Sequence, residues 1–516
     1  MAFARTFSVA LVGVTGHIVE VEADISAALP SFVLLGLPDS SLNEARDRIR
    51  SAAKNSGLPL PAQKLTINLT PATLPKRGSM FDLAMLVAAL QADGELQPSG
   101  QTVFLGEVGL DGSVREIPGI LPAVKAAVDA GYSQVLVPAG NAREAALVSG
   151  AQVQGVTCLA EVFVALGAKN PDQLKRPAQE RPVPQTTTAS ALRLEPDMAD
   201  VAGQAEGRLA LEIAAAGGHH LLFTGPPGSG KTMLAERLTG ILPPLSTEDA
   251  MEVTAIHSLC MAGAPLQELI SRPPFESPHH SASSPAILGG GAGLPRPGCV
   301  SRAHRGVLFL DEAPEFKRTV LDSLRQPLEN GEIIIDRSAA SARYPARFQL
   351  VLAANPCPCG NNVGRGLECT CTSRERRSYF GRLSGPLLDR IDLQVAVPKV
   401  TATDLAATGK GESSAHIRAR VEQARATQAE RLAPLGLTTN AETNGQILRG
   451  PLKISSQLTS GLSQALDRGS LTARGFDRVL RTAWTLADLD GATGPTREHI
   501  DLALYFRNLN SERVGA

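Results

Sequence analysis

Apolar and polar residues alternate with two different periods along residues 1–168. Ser8–Gly13 alternates between them with the period of a half-buried strand, whereas Leu42–Ser56 carries its apolar residues at helical spacing. Thr102–Gly106 and Gly109–Val114 are further strand-like runs, and an Asp-Gly pair in the second predicts that they form a hairpin. Strands that alternate with helices predict an α/β domain here.

The pattern changes twice further along the chain. Residues 169–192 carry proline, glutamine and a threonine triplet without an apolar period, so we predict a linker. Residues 193–400 contain short, fully apolar runs that indicate buried strands. Residues 401–516 carry helical patterns, among them Ser413–Arg431 and Arg474–Asp488, and predict a small helical domain.

Composition narrows the class of protein. The 516 residues allow three or more domains, and 43% hydrophobic with 20% charged residues is ordinary for a globular chain. A net charge of -1 restricts nucleic-acid binding to a local groove or pore. Acidic residues soon follow the short apolar run at the N-terminus, and no apolar run is long enough to span a membrane. We therefore expect no signal peptide and no membrane partner.

Four of the seven cysteines lie within 15 residues, at Cys357, Cys359, Cys369 and Cys371. An odd, clustered set argues against a secreted disulfide framework and for a reducing, cytoplasmic location. Two C-x-C pairs can supply four thiolates to one tetrahedral structural site, for which zinc is the expected metal. The alternative is four reduced surface cysteines. We predict a metal-binding insert over residues 357–371.

The run GPPGSGKT, Gly225–Thr232, fits the phosphate-binding loop G-x-x-x-x-G-K-[ST]. It follows an apolar run, His219–Thr224, and precedes a helical pattern, which is the context that such a loop requires. Lys231 is expected to reach the β and γ phosphates, and the Thr232 hydroxyl to bind Mg²⁺. The residues predicted to surround the nucleotide are Gly225, Pro226, Pro227, Gly228, Ser229, Gly230, Lys231, Thr232 and Met233.

A second buried strand, Gly306–Glu312, ends in two acidic residues. Next to a phosphate loop, Asp311 is expected to hold Mg²⁺ through water, and Glu312 to polarise the attacking water. The alternative is a strand with two exposed acids at its end. A third apolar run, Arg347–Asn355, ends in an amide side chain. The predicted cofactors are therefore ATP and Mg²⁺.

Several segments resemble AAA+ ATPases. Asp200–Arg208 (DVAGQAEGR) is similar to the segment that lies near adenine in that family, and Asn355 occupies the place of the sensor-1 residue. The resemblance implies that Arg390 is an arginine finger acting on a neighbouring subunit's nucleotide; the alternative is an ion pair with Asp389 or Asp392 within the chain. It also implies that Arg474 is the sensor-2 arginine, although Arg478 lies on the same helical face.

Five further runs are informative together: PHHSAS, LPRPGCVSRAHRGVLFLDE, LRQPLENGE, YPARFQLVLAANPCPCG and GPLLDRIDLQV. They make the resemblance specific within the AAA+ superfamily, to the Mg-chelatase-like ATPases. It implies a homo-hexameric DNA helicase that promotes branch migration during natural transformation, with single-stranded or branched DNA and recombinases as partners. A chelatase-type motor or regulator without DNA translocation is the alternative.

Residues 1–168 resemble the Lon-protease-like domain, through PKRG (Pro75–Gly78) before an apolar helix and through FLGEVGLDGSVREIPG. Lon-type proteases use a serine and a lysine. In this sequence Ser79 lies one residue before the position of the family's catalytic serine. The position of the family's catalytic lysine is occupied by Leu121, and Lys125 lies four residues after it. Because a covalent mechanism needs nucleophile and base together, we predict no peptidase activity.

Two insertions interrupt the predicted ATPase core. Arg272–His304 is rich in glycine, serine, proline and histidine, and Glu332–Arg347 reads as a β-hairpin just before the third buried strand. The resemblance implies that both line a ring pore, where cationic side chains can contact DNA phosphates. The alternative is a surface hairpin. The candidate DNA contacts are Arg337, Arg343, His279 and His280.

Overall fold

The structure is a computed structural model that describes residues 3–36, 39–76, 78–178, 196–260, 266–291, 295–337, 340–364, 366–406 and 411–508. Most of the predicted linker, from residue 179 onward, lies outside these ranges. In the part of the chain that the structure describes, no helix has both the length and the apolar character needed to cross a membrane.

The N-terminal region is a seven-stranded mixed sheet with helices, in the order β3-β4-β2-β1-β5-β8-β9. Its strands are β1 Phe3–Val12, β2 Thr15–Ser26, β3 Ser31–Leu35, β4 Lys64–Thr70, β5 Val103–Phe104, β6 Glu107–Val108, β7 Val114–Arg115, β8 Gln134–Pro138 and β9 Gln152–Val156. Its helices are α1 Asp39–Asn55, α2 Asp82–Ala92, α3 Ile120–Asp129, α4 Ala142–Ala145 and α5 Leu159–Ala165.

The predicted pairing of Thr102–Gly106 with Gly109–Val114 is wrong. The hairpin there joins β6 to β7, while β5 pairs in parallel with β1 and β8. The side chains of β5 are fully buried, so this apolar strand belongs in the centre of the sheet rather than in an edge hairpin.

Ser79 and Lys125, the residues nearest in sequence to the Lon-type catalytic positions, do not contact each other. Ser79 Oγ donates to the Glu107 carboxylate, and Lys125 Nζ lies 2.7 Å from Asp129 Oδ2 on the surface of α3. Leu121 is buried in the core. The absence of peptidase activity stays a prediction.

The second region is built on a five-stranded, all-parallel sheet in the order β11-β14-β17-β10-β18. Its strands are β10 Leu221–Thr224, β11 Phe275–Glu276, β12 Gly289–Gly290, β13 Arg296–Pro297, β14 Val307–Leu310, β15 Glu332–Arg337, β16 Ala340–Pro345, β17 Gln349–Ala354 and β18 Leu393–Ala396. Its helices are α6 Ala205–Gly217, α7 Lys231–Ile241, α8 Thr247–Cys260, α9 Ser284–Leu288, α10 Cys299–Arg302, α11 Arg318–Ser323, α12 Arg325–Asn330, α13 Ser373–Phe380, α14 Gly385–Leu388 and α15 Ala402–Ala406.

The predicted hairpin before the third buried strand is confirmed, since β15 pairs antiparallel with β16 and β17 follows directly. The N-terminal region packs against this hairpin and against α8. Gly13, in the turn between β1 and β2, lies so close to the Arg343 carbonyl oxygen that a Cβ there would come within 2.6 Å of it. The Gly119 N–H donates to the Ser258 carbonyl at 3.0 Å, and Ala255 of α8 is buried among N-terminal side chains.

The C-terminal region is helical, as predicted, and shares one apolar core with α6, α7 and the parallel sheet. A buried polar network joins the two regions, because Asp392 accepts from Arg478 at 2.5 Å and His219 contacts Thr485 at 2.7 Å. Burial alone would raise the pKa of the Asp392 carboxyl, but the charge of Arg478 holds it well below the usual range. The helices are α16 Ser414–Leu432, α17 Gly445–Arg449, α18 Ser460–Asp467, α19 Ala473–Leu489 and α20 Arg497–Asn508.

The substitution Arg478→Ala tests this network. It leaves the buried Asp392 carboxylate without its ion pair, and we expect a loss of about 3–5 kcal/mol in the free energy of unfolding, because an uncompensated buried charge is costly. Urea and thermal unfolding measure it. Arg474→Ala, four residues away on an exposed position of the same helix, is the control and should unfold like the wild type. A wild-type midpoint for Arg478→Ala would contradict the structural role of this pair.

Candidate functional site

The phosphate loop lies between the carboxyl end of β10 and the start of α7. Gly228 and Gly230 have φ values of +73° and +93°, a left-handed backbone that glycine adopts without strain. Lys231 is buried, and its Nζ donates to the Gly225 and Pro226 carbonyls at 2.7 and 2.9 Å. Burial lowers the pKa of Lys231. The loop therefore holds this ammonium group against its own backbone.

Two oxygen donors predicted to serve Mg²⁺ lie side by side. Thr232 Oγ1 donates to Asp311 Oδ2 at 2.7 Å, although the residues are far apart in the sequence. The other oxygen of Asp311 accepts the Glu312 backbone N–H at 2.9 Å, which fixes the orientation of the carboxylate. Hydroxyl and carboxylate oxygens are hard donors of the kind that Mg²⁺ prefers, so this pair fits the ion.

Glu312 follows Asp311 with a left-handed backbone, at φ +50°. A non-glycine residue held in this region is strained, and such strain is concentrated at functional sites. The side chain is about half exposed, at 49%, and its Oε2 lies 3.3 Å from His280 Nδ1. His280, which the sequence suggested as a DNA contact, is therefore placed against the predicted catalytic glutamate. His279 packs on it with ring centroids 4.1 Å apart.

Asn355 stands directly after β17 and reaches the phosphate loop. Its Oδ1 accepts from Lys231 Nζ at 3.1 Å. The end of β17 is also tied to the loop through the backbone, because the Gly225 N–H donates to the Ala354 carbonyl at 3.1 Å. Asn355, the predicted sensor residue, is thus in direct contact with Lys231 of the phosphate loop.

Gln204 also braces the phosphate loop, a contact that the sequence analysis did not predict. Its Nε2 donates to the Ser229 carbonyl at 3.2 Å and to the Pro398 carbonyl at 2.7 Å. The residue adopts φ +56°, so the backbone is strained to aim this side chain. The sequence motif that could have indicated this role of Gln204 is DVAGQ, because its resemblance to the AAA+ segment places it near the nucleotide.

Arg390 and Arg474 lie together, at the other end of the parallel strands. Both line a cavity of about 1360 Å³ whose walls include residues at the amino ends of β10, β14 and β17. The phosphate loop leaves the carboxyl end of β10. Neither arginine is therefore placed to reach the phosphate loop of its own chain. Contact of Arg390 with a neighbouring subunit's nucleotide and the sensor-2 role of Arg474 stay predictions.

Arg390 has partners within the chain. Its guanidinium pairs with the Glu329 carboxylate and donates to the Pro386 carbonyl at 2.6 Å. The expected alternatives, Asp389 and Asp392, are instead bonded to other arginines. Burial and the nearby Arg474 lower the pKa of Arg390. Arg474 is exposed, whereas Arg478 is committed to Asp392, which favours Arg474 as the arginine free to act on a ligand.

The four clustered cysteines converge in space. Their sulfurs all lie within 4.8 Å of one another, and three of the separations are 3.3, 3.6 and 3.7 Å. Zn–S bonds of about 2.3 Å place tetrahedral sulfurs about 3.8 Å apart, so this set fits zinc. Burial raises the pKa of Cys357 to about 12, whereas the Asn361 N–H lowers that of Cys359 to about 6. A lowered thiol pKa favours the deprotonated sulfur that a metal ligand must supply.

The remaining candidate DNA contacts lie on the hairpin. Arg337 and Arg343 are both exposed, and Arg343 pairs with Glu332 at 3.6 Å. The Arg337 guanidinium lies beside Gly290, where a Cβ would come within 3.0 Å of its Nη2. Tyr344 Oη donates to the Pro295 carbonyl at 2.5 Å. The hairpin and the glycine-rich insertion therefore form one unit, which we call the insertion unit (residues 284–291, 295–298, 332–337 and 340–345).

Family models cover most of the chain. The model for subunit ChlI of Mg-chelatase matches residues 21–141, that for magnesium chelatase subunit ChlI matches residues 197–405, and that for the ChlI C-terminal region matches residues 411–507. The second and third agree with the parallel-sheet region and the helical region of the structure.

Similar proteins extend over the full length. An uncharacterized protein of Mycobacterium tuberculosis is 49% identical over 515 residues, covering 99% of this chain and 100% of its own. The uncharacterized protein YifB of Escherichia coli is 42% identical, with 99% and 98% covered, and competence protein ComM of Haemophilus influenzae is 40% identical, with 98% of each covered. This chain belongs to the Mg-chelatase (subunit ChlI) family of AAA+ ATPases.

Proposed function

We propose that this protein is a ring-forming ATPase that translocates DNA, acting as a helicase and branch-migration motor in natural transformation and homologous recombination. The observation that carries the proposal is the insertion unit, which presents the exposed guanidinium groups of Arg337 and Arg343 immediately before β17. The likeness to a protein named for competence supports the biological setting. The family implies ATP and Mg²⁺ as cofactors.

Hydrolysis follows from the residues around the phosphate loop. Mg²⁺, when bound, supplies charge neutralisation between the phosphates. Lys231 would hold the β and γ phosphates, and Thr232 and Asp311, whose side chains contact each other, would hold the ion. Glu312 orients and polarises the attacking water, and Asn355 aligns it from the end of β17. His280 restrains Glu312, so a movement that separates them would free the carboxylate for this work.

The proposal of a ring is supported by the position of Arg390 and Arg474, which line a cavity at the opposite end of the strands from the phosphate loop. In a head-to-tail ring the amino end of one sheet can face the loop of the next subunit. The positive charge of Arg390 would then stabilise the charge that develops on the neighbour's γ-phosphate. This is consistent with a homo-hexamer.

DNA would be held by its backbone. Arginine contacts to phosphates position a nucleic acid but carry no sequence information, so we expect little sequence preference. Because β16 runs into β17, a load on the insertion unit is transmitted along one continuous segment to Asn355. The segment from β16 through β17 would therefore couple the nucleotide bound at the phosphate loop to the DNA bound at the insertion unit.

The second candidate function is a chelatase-type motor or regulator that does not translocate DNA. The family descriptions favour it, since all three matched models are named for magnesium chelatase. It would keep the same hydrolysis site and ring, and would differ in what the insertion unit contacts.

The ATPase rate with and without DNA discriminates between the two functions. We expect single-stranded and branched DNA to raise the rate and to be unwound. Arg337→Ala and Arg343→Ala should each weaken DNA binding about equally for all sequences and reduce its salt dependence by roughly 0.7–0.9 in log–log slope. Arg497→Ala, an exposed arginine of the C-terminal domain, is the matched control. Absence of stimulation and of strand displacement would favour the chelatase-type motor.

Glu312→Gln tests the hydrolysis site. The amide keeps the size of the side chain but cannot polarise water, so we expect nucleotide binding and ring assembly to persist while turnover falls by at least about 100-fold. Nucleotide affinity is measured by a fluorescent ATP analogue, and assembly by light scattering. Turnover at the wild-type rate would show that Glu312 is not the catalytic residue.

Mixed rings test the role of Arg390. We expect Arg390→Ala and Lys231→Ala each to be inactive alone, and a mixture to regain activity, because roughly a quarter of the interfaces in a random ring then combine an intact loop with an intact arginine. Thermal unfolding of Arg390→Ala checks that loss of the Glu329 pair has not disrupted the fold. If the mixture stays inactive although both chains fold and assemble together, the trans role is wrong.

A further inference from the structure

The chain that follows β17 runs along the phosphate loop at three successive points. The Ala354 carbonyl accepts the Gly225 N–H at 3.1 Å, and Asn355 Oδ1 lies 3.1 Å from Lys231 Nζ. The third contact is Gly360, which packs against Pro227. The first two belong to the end of a strand and to the predicted sensor. The third belongs to the cysteine cluster.

Gly360 leaves no space between the two loops. It is buried, adopts φ +78°, and a Cβ at this position would come within 2.5 and 2.6 Å of Pro227 Cδ and Cγ. Contacts this close do not occur between real side chains, so any side chain here must displace the proline. Pro227 lies in the phosphate loop itself, three residues before Gly230. The shape of the loop and the position of Gly360 are therefore linked.

Gly360 is also part of the turn that presents two of the sulfurs. It follows Cys359, and its N–H donates to the Cys357 carbonyl at 3.0 Å. Cys357 is fully buried, while Cys369 and Cys371 approach from the far end of the segment. Between β17 and α13 the described residues form neither helix nor strand. A four-sulfur metal site would supply the cross-link that fixes this irregular segment.

We propose that the four cysteines form a structural zinc site that holds the phosphate loop in its nucleotide-binding shape through the contact of Gly360 with Pro227. The inference rests on the zinc site expected from the cysteine geometry, and goes beyond it by assigning what the metal supports. The metal has no part in hydrolysis, because four protein sulfurs leave no coordination position for water. Its loss lowers nucleotide affinity by releasing the turn that braces Pro227.

The experiment measures two quantities on the full-length protein: bound zinc by elemental analysis under reducing conditions, and affinity for a fluorescent ATP analogue with Mg²⁺. The wild type should hold one zinc per chain. Cys369→Ser should lose zinc and bind nucleotide more weakly. Gly360→Ala should keep its zinc yet bind nucleotide roughly tenfold more weakly, because the added methyl group displaces Pro227.

Gly364→Ala is the matched control. Gly364 lies in the same segment with φ +58°, but a Cβ there meets nothing within 4 Å. It reproduces the backbone strain of Gly360→Ala without a contact to the phosphate loop, so zinc content and affinity should match the wild type. If Cys369→Ser fails to fold, as judged by circular dichroism, wild-type protein stripped of zinc by a chelator replaces it and should bind nucleotide more weakly in the same way. Unchanged affinity after the loss of zinc would overturn the support role.

The outcomes separate the two parts of the inference. A wild-type protein without zinc would overturn the metal site and the support role with it. A wild type with zinc whose Gly360→Ala variant binds nucleotide normally would overturn the support role alone. Equal weakening in Gly360→Ala and Gly364→Ala would also overturn it, because strain in the segment, not contact with Pro227, would then be the cause. None of these results depends on whether DNA stimulates the ATPase.

Discussion

The parallel pairing of β17 between β10 and β14 is the constraint on which the nucleotide site depends. Thr224 lies opposite Ala354, and Leu310 lies opposite Leu352, so the three strands end at one edge of the sheet. At that edge β10 leads into the phosphate loop, β14 into the acidic pair Asp311 and Glu312, and β17 into Asn355. A register slip of one residue in the fully buried β17 would move Asn355 away from Lys231 and turn its neighbours to the other face.

This constraint also explains what the sequence could and could not predict. Lys231, Thr232 and Asp311 were predictable, because the loop and the strand carry local patterns whose spacing is set by phosphate and metal chemistry. The contact of His280 with Glu312 and that of Gly360 with Pro227 have no such pattern. They arise where segments from different strands meet at the same edge, and depend on tertiary packing alone.

The errors have the same origin. The run around Val103 looked like half of a local hairpin, but its burial suits the centre of a parallel sheet, and a pattern of apolar residues does not say which strand pairs with which. Arg390 was weighed against its neighbours in sequence, Asp389 and Asp392, whereas its carboxylate partner is Glu329. In a ring, a nucleotide on the next subunit would have to compete with Glu329 for this guanidinium. The Arg390–Glu329 ion pair would therefore weaken the contact of Arg390 with that nucleotide.

One strand joins the elements through which this ATPase would act. Before β17 stands the insertion unit, which packs on the N-terminal region at Gly13; after it come Asn355 and the cysteine segment. Interiors are close-packed and transmit small displacements rather than absorbing them. A shift of β17 therefore reaches the hairpin, the sensor and the support of the phosphate loop together. In the proposed motor, the N-terminal region would limit that shift from one side, through the contact of Gly13 with the hairpin.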